Sequence, residues 1–335
     1  MTGSSAVGVE GESAPEEILE PGVSITDSHH HLWDHHQPSY VLDELLADTA
    51  CGHNVESTVY IECGWKWDTD SADPRFMPVP EVEHVVGLAE ESSRRGNAAI
   101  RGIVGFADLR FGSSVGEVLD RLVEAGHGLL AGIRQCANWD ASSEVSTHPT
   151  KPGPELLLHP AVRRGLKQVA DRDLTFDTWI YHPQLRDLVD LARAYPTVTM
   201  VVDHLGGPLA LGPYAKDREA SRDTWRRGMR ELRSCENVFV KLGGIGMPAL
   251  AGVDASPSPT SEELAGRWAS DIGWCIEEFG ADRCMFESNF PVDRRACSYR
   301  VLWNTFKRVV ADGSDQEKAA LFTGTAARVY GIGTR

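Results

Sequence analysis

From residue 25 the chain alternates short apolar runs with longer stretches in which apolar residues recur every three or four positions. The short runs, 25–32, 57–63, 99–107, 132–137, 174–181, 199–204, 238–242 and 284–290, have the length and composition of strands. Between them, 81–95, 115–125, 159–171, 184–194, 222–234 and 262–279 carry the apolar stripe of amphipathic helices. Strand–helix alternation carried through all of these runs predicts an α/β fold of the (β/α)8 TIM-barrel type, one domain over 25–335. A doubly wound open sheet would carry a Gly-rich phosphate turn after its first strand, and here that strand ends in histidines. Residues 1–24 are rich in Gly, Ser, Pro and Glu and lack an apolar period, so a mobile acidic tail is expected there.

Three connections, 64–80, 138–159 and 206–223, are too long for plain turns. Each follows a predicted strand, which in a barrel places it over the C-terminal mouth where active sites are built. With the residue after the first strand they supply Trp33, Trp65, Trp67, Phe76, Trp139, His148 and Tyr214. Of these, Trp33, Trp65 and Trp139 are expected to wall a substrate pocket, the alternative being rim packing.

Composition narrows the function classes. The net charge of −16 disfavours nucleic acid and anionic membranes as partners, because both reward clustered Lys and Arg. No segment approaches a membrane span, and the N-terminus lacks a secretory pattern. The 7 cysteines form no C-x-x-C pair, which fits reduced thiols in the cytoplasm better than a disulfide framework. Barrels of this size commonly pair, so a homodimer is one assembly open to the chain.

The chemistry concentrates at strand ends. In Asp27-Ser28-His29-His30-His31, alternation puts Asp27, His29 and His31 on one face and His30 on the other. Two imidazoles at i and i+2 near a strand end can reach one ion together. His182 and His204 end two further predicted strands, so the four histidines would converge on one mouth. His53, His84, His127, His148 and His159 fall in helices or loops, where structural roles are expected. Glu62, Arg134 and Lys241 also close apolar runs; Glu62 could ligate a metal or act as a base, and Arg134 or Lys241 could hold a substrate carboxylate. Asp203 precedes His204, and alternation would turn it outward toward the helices.

The motifs Asp27-Ser28-His29-His30-His31-Leu32-Trp33-Asp34, Gly132-Ile133-Arg134, Asp203-His204-Leu205-Gly206-Gly207-Pro208 and Phe286-Glu287-Ser288-Asn289-Phe290-Pro291 occur in this order. Together they resemble the amidohydrolase-related family, the branch of the amidohydrolase superfamily that contains sugar-acid and muconolactone-type lactonases. The resemblance implies a barrel that hydrolyses a C–O or C–N bond, often with one divalent metal. It implies His29, His31, His182 and His204 as the catalytic or metal-binding set, beside which Glu62 stays a candidate ligand from its place at a strand end. Zinc is the expected ion and manganese an alternative; catalysis by the histidines without metal stays open.

One position departs from the family. Where most relatives end the eighth strand with Ser-Asp, this chain has Ser288-Asn289. An amide cannot take up the proton that an aspartate would, so Glu287, Asp293 and Glu62 stand as candidate carboxylates. The expected function is opening of a lactone or ester of a small carboxylate-bearing substrate by metal-activated water. The alternatives are a nonoxidative decarboxylase or hydratase on the same barrel, and a barrel that only binds a ligand.

Overall fold

Eight parallel strands follow one another around a single sheet in chain order. They are β1 Ser24–His30, β2 Asn54–Ile61, β3 Ala99–Phe106, β4 Leu130–Arg134, β5 Thr175–Thr178, β6 Met200–Val202, β7 Val238–Leu242 and β8 Cys284–Phe286. Beyond β8, Asn289 donates its backbone N–H to the His29 carbonyl (2.9 Å), and His31 donates to Phe290 (2.7 Å). These two bonds join the last strand to the first, and the expected (β/α)8 barrel results. The computed structural model describes residues 16–96, 98–251 and 259–333.

The helices on the outside are α1 Leu42–Thr49, α2 Val79–Arg95, α3 Val115–Ala125, α4 Pro160–Ala170, α5 Leu185–Ala194, α6 Arg218–Arg233, the one-turn α7 Pro248–Ala251, α8 Ser261–Phe279, α9 Tyr299–Val309, α10 Asp315–Ala319 and α11 Thr325–Tyr330. Their starts are written locally. Thr260 and Glu263 cap each other reciprocally at the head of α8, and Ser314 and Glu317 do so at α10. The His159 ring accepts the Ala161 N–H with Pro160 in the first turn of α4, the structural role expected of it. Helices α1 and α9 lie outside the expected set, although α9 buries Tyr299, Leu302, Trp303 and Phe306 at helical spacing.

Two apolar layers hold the barrel. The larger lies between strands and helices. The smaller fills the barrel itself with Val59, Ile61, Val104, Ala131, Val201 and Met285, and α11 closes it with Ala326 and Tyr330. The segment before β1 is fastened rather than loose. Buried Lys307 donates to the carbonyls of Leu19 (2.8 Å) and Glu20 (2.9 Å), Asn304 donates to the Glu17 carbonyl (2.8 Å), and Glu16 accepts the Ser261 N–H (2.7 Å). The expected mobile tail over 1–24 is therefore corrected for residues 16–23, because α9 presents a row of polar side chains to their backbone; residues 1–15 lie outside the described residues. All 7 cysteines are free thiols, as their spacing suggested. Among the described residues no helix is long and apolar enough to cross a membrane.

Candidate active site

Strand β1 does not keep simple alternation. Asp27 pairs with Thr58 but His30 pairs with Tyr60, so one extra residue is accommodated between them. The bulge reverses the facing. Asp27 accepts from Tyr299 of α9 (3.0 Å) on the helix side, whereas His29 and His31 meet each other inside, Nε2 to Nε2 at 3.1 Å. The expectation that Asp27 shares their face is thereby corrected. His30 packs edge-on to Tyr60, away from the cluster.

The third imidazole comes from the end of β6. The ladder stops at Val202, and His204 takes a left-handed backbone (φ 54°) that swings its ring toward His29, with ring centroids 4.7 Å apart. The close approach requires Gly244, where a Cβ would stand 2.7 Å from the His204 ring. Glu287, one residue beyond β8, anchors the cluster. Its Oε1 accepts from Nδ1 (2.6 Å) and the backbone N–H (3.1 Å) of His204, and its Oε2 lies 2.9 Å from His29 Nδ1. His31 Nδ1 bonds to the Ile61 carbonyl at 2.8 Å, which leaves its Nε2 to face the cluster.

Asp203 also points inward, on the face that alternation gives it with Val201 of the barrel interior and not toward the helices as expected; it is His204 that the left-handed backbone turns in. Its Oδ1 lies 3.1 Å from Lys241 Nζ and 3.7 Å from His29 Nδ1, and its Oδ2 lies 3.7 Å from Arg134. Lys241 is fully buried and also donates to Asp177 (2.9 Å). Burial pulls Asp177 upward, yet Lys241, Tyr330 (2.6 Å) and Thr175 (3.2 Å) all donate to it, surroundings that suit a carboxylate. Arg134 bonds Glu62 through Nε at 2.8 Å.

The charges do not balance. With the imidazoles neutral, as metal ligands are, matching Arg134 with Glu62 and Lys241 with Asp177 leaves Asp203 and Glu287 as buried carboxylates without a cation of their own. Both are held ionised. Burial opposes the charge, but Lys241 and the His29 ring keep Asp203 well below the carboxylate range, and His204 and His29 bring Glu287 to about 2. Neither oxygen of Asp203, nor Oε2 of Glu287, receives a hydrogen bond. Buried anionic oxygens without hydrogen bonds are costly, and one divalent cation would supply the missing charge. The donors fit such an ion: among the described residues His29, Asp203 and His204 present ligand atoms within 4.8 Å of one another. The 3.1 Å between Nε2 of His29 and of His31 is also near the roughly 3.3 Å that separates two nitrogens on a tetrahedral ion with Zn–N about 2.0–2.1 Å.

A family model described as Amidohydrolase matches residues 93–332, most of the barrel. The chain belongs to the amidohydrolase family. The chain is 30% identical over 332 residues to the uncharacterized protein y4mH of Sinorhizobium fredii (strain NBRC 101917 / NGR234), covering 92% of this amidohydrolase and 99% of that protein. It is 27% identical over 238 residues to an L-fucono-1,5-lactonase of Burkholderia multivorans, covering 70% and 73%. Among solved structures, an amidohydrolase of Burkholderia multivorans crystallised with bound zinc superposes with a TM-score of 0.70 at 22% identity, over 92% of this chain and 99% of that one. That likeness supports the fold.

The amidohydrolase brings together only part of the residue set its sequence suggested. His29, His31, His204 and Glu287 converge; His182 and Glu62 stand outside the ligand group. His182 accepts the Leu209 N–H at 3.2 Å and meets the Tyr214 ring, and burial lowers it to about 4. Its loop is held tightly, since a Cβ on Gly207 would collide with the Ile180 carbonyl. Arg134 and Lys241 are engaged by buried carboxylates and so are not open clamps for a substrate anion. Asn289, left-handed at φ 53°, donates through Nδ2 to Asp293 (3.0 Å), which also accepts the Gly246 N–H (2.9 Å) and which burial pushes up to about 7.

The tryptophans divide. Trp33 is half-buried and stacks on His31 at 6.2 Å, and Trp139 is half-buried at the mouth. Trp65 is buried and spends its indole N–H on Asp34 (2.8 Å), so it serves the rim and not a substrate. Sequence reasoning passed over Trp179, whose ring stands edge-on to His204 at 4.7 Å, and Glu81. Glu81 accepts from Tyr60 (2.8 Å), Cys63 N (2.9 Å), Trp65 N (3.0 Å) and Trp67 Nε1 (2.7 Å), gathering the loop after β2; burial raises it to about 7. A carboxylate at an apolar position of the α2 stripe was its only trace in the sequence.

Proposed function

We propose that this amidohydrolase hydrolyses a small, uncharged lactone of the polyhydroxy-acid kind at the His29–Asp203–His204 centre, with a divalent ion, zinc or manganese, as its resident cofactor. The observation that carries the reading is the pair of buried carboxylates among three imidazoles, in which both oxygens of Asp203 and Oε2 of Glu287 lack hydrogen bonds. His29, His204 and Asp203 would hold the ion, with His31 Nε2 beside them. Bound there, such an ion supplies polarisation of a carbonyl and acidification of water.

The chain's own groups supply orientation and proton handling. Glu287 fixes the His204 ring through Nδ1 and is itself too acidic, at about 2, to serve as a base near neutrality. Glu62 is committed to Arg134. Of the three candidate carboxyls, Asp293 is thus the one whose protonation changes near neutral pH, one hydrogen bond behind Asn289, and it is the proton acceptor in this reading. Trp179 and Trp33 flank the imidazoles and limit water. Since Arg134 and Lys241 are already ion-paired, substrate recognition does not call for a carboxylate on the substrate. The similarity to an L-fucono-1,5-lactonase supports the lactone class.

A second reading, decarboxylation, is favoured by Asn289 alone, because that chemistry does not begin with base-assisted attack of water. A panel of aldonolactones and aromatic carboxylic acids, followed by product mass, separates the two. Gain of one water, abolished in a His29→Ala/His204→Ala double variant, is the expected result. Loss of carbon dioxide would overturn the lactonase reading, and undiminished lactone opening by the double variant would remove the chemistry from this centre.

A further inference from the structure

Lys241 is the one lysine whose ammonium lies fully buried at the barrel's centre among the described residues. Three donor atoms surround Nζ: Asp177 Oδ2 at 2.9 Å, Asp203 Oδ1 at 3.1 Å and His29 Nδ1 at 3.2 Å. Two carboxylate oxygens and an imidazole nitrogen are the kind of set that holds zinc or manganese. Below them Tyr330 donates to Asp177 at 2.6 Å and turns its ring toward Nζ, 5.5 Å from the centroid, so the arrangement is closed from the floor by α11. A substrate carboxylate has no access to this ammonium, and the contacts give it no role as a base.

We propose that Lys241 occupies the place of a second cation, so that the centre accepts one divalent ion and no more, and that removing the ammonium opens a second ion site on Asp177, Asp203 and His29. The inference rests on the reading that a divalent ion binds the centre at all. Its basis is the charge balance. With Lys241 present, Asp203 and Glu287 leave the centre two charges short, which one divalent ion meets. Without Lys241, Asp177 joins them, and one ion no longer suffices. An ammonium supplies the required charge at fixed position and independently of metal supply, and thereby holds Asp203 and His29 in place for the single ion.

The test counts zinc bound per chain by inductively coupled plasma mass spectrometry after saturation and desalting. The wild type, Lys241→Ala and Lys241→Ala/Asp177→Asn are compared, all purified in the presence of zinc. The inference predicts one zinc in the wild type, two in Lys241→Ala, and a return to one when Asp177 is neutralised. Thermal melting gives a second readout: added zinc raises the melting temperature of Lys241→Ala more than that of the wild type, since two ions and not one are bound to the native state. Two zincs in the wild type, or one in a folded Lys241→Ala, would overturn the inference while leaving the metal centre intact. No zinc in any of the three would overturn the metal reading and this inference with it.

Discussion

Replacing Glu287 with Gln keeps the side chain's shape and removes one charge from beneath the histidines. In the wild type Oε1 accepts from both the backbone N–H and Nδ1 of His204, at 3.1 and 2.6 Å, and Oε2 stands 2.9 Å from His29 Nδ1. A glutamine side chain can still accept from His204, but it presents an amide donor toward His29 or, flipped, loses the bond to His204. Partners that orient metal-binding histidines contribute about 10–100-fold to metal affinity, or about 1.4–2.7 kcal/mol.

A second consequence concerns acid. Although burial works against its charge, His204 and His29 hold the Glu287 carboxyl at about 2, below the ordinary 4.5. A carboxyl depressed by folding adds stability that is fully present above the unfolded value and is lost as pH falls toward the folded one. For this group the window runs from about 4.5 down to 2 and is worth about 3 kcal/mol. Chelator competition for zinc near neutral pH reads the first effect. Urea unfolding of metal-free protein near neutrality and again in the acid window reads the second. The Glu287→Gln variant should bind zinc at least tenfold more weakly, at the lower end of that range, and lose less stability on acidification than the wild type does. Zinc affinity within about twofold of wild type, well short of that effect, with an unchanged acid response, would refute the argument that Glu287 orders the cluster.

Two further outcomes follow from buried polar groups outside the His29–Asp203–His204 cluster. Both ring nitrogens of His30 are buried without hydrogen bonds, so His30→Phe should keep or raise the melting temperature and leave zinc content unchanged; a loss beyond about 2 kcal/mol would show that the ring has a partner of its own. Lys307→Met removes the donor to the Leu19 and Glu20 carbonyls and to His53 (2.9 Å), and should cost about 2–3 kcal/mol with faster amide exchange across residues 16–23. Unchanged exchange there would show that the segment is held by other contacts.

The barrel was legible because its signal is repetitive: apolar runs of strand length separated by amphipathic stretches leave few other architectures. The last strand residues were less legible. Strands β5, β6 and β8 stop at Thr178, Val202 and Phe286, and the chain then carries the site on irregular backbone. Alternation predicts facing only while the ladder lasts. That is why His204 joins Asp203 on the inner face, where alternation admits only one of two neighbours, and why the bulge in β1 turned Asp27 away from His29.

The histidine pair and His204 were found from their places at strand ends, and Glu287 from its relation to Asn289. What sequence could not supply was the pairing of charges. Arg134 and Lys241 read as cations available to substrate, but each meets a buried carboxylate from two strands away, Glu62 just beyond β2 or Asp177 of β5, partnerships made across the barrel interior and not between neighbours in the sheet. Asp177 did leave a trace, an acid inside an apolar strand, which is tolerated only when paired. His182 had the same sequence credentials as His204, yet it follows irregular chain after Thr178 and ends against Tyr214 and Leu209.

Whether the two unmatched carboxylates hold a divalent ion decides the chemistry of the centre. The most direct measurement is the metal content of Asp203→Asn beside the wild type, each saturated with zinc and desalted. The substitution keeps the shape of the side chain and removes one of the two charges. One equivalent of zinc is predicted in the wild type and a small fraction of that in Asp203→Asn. A full equivalent in both proteins, or none in the wild type, would contradict a metal centre built on these carboxylates.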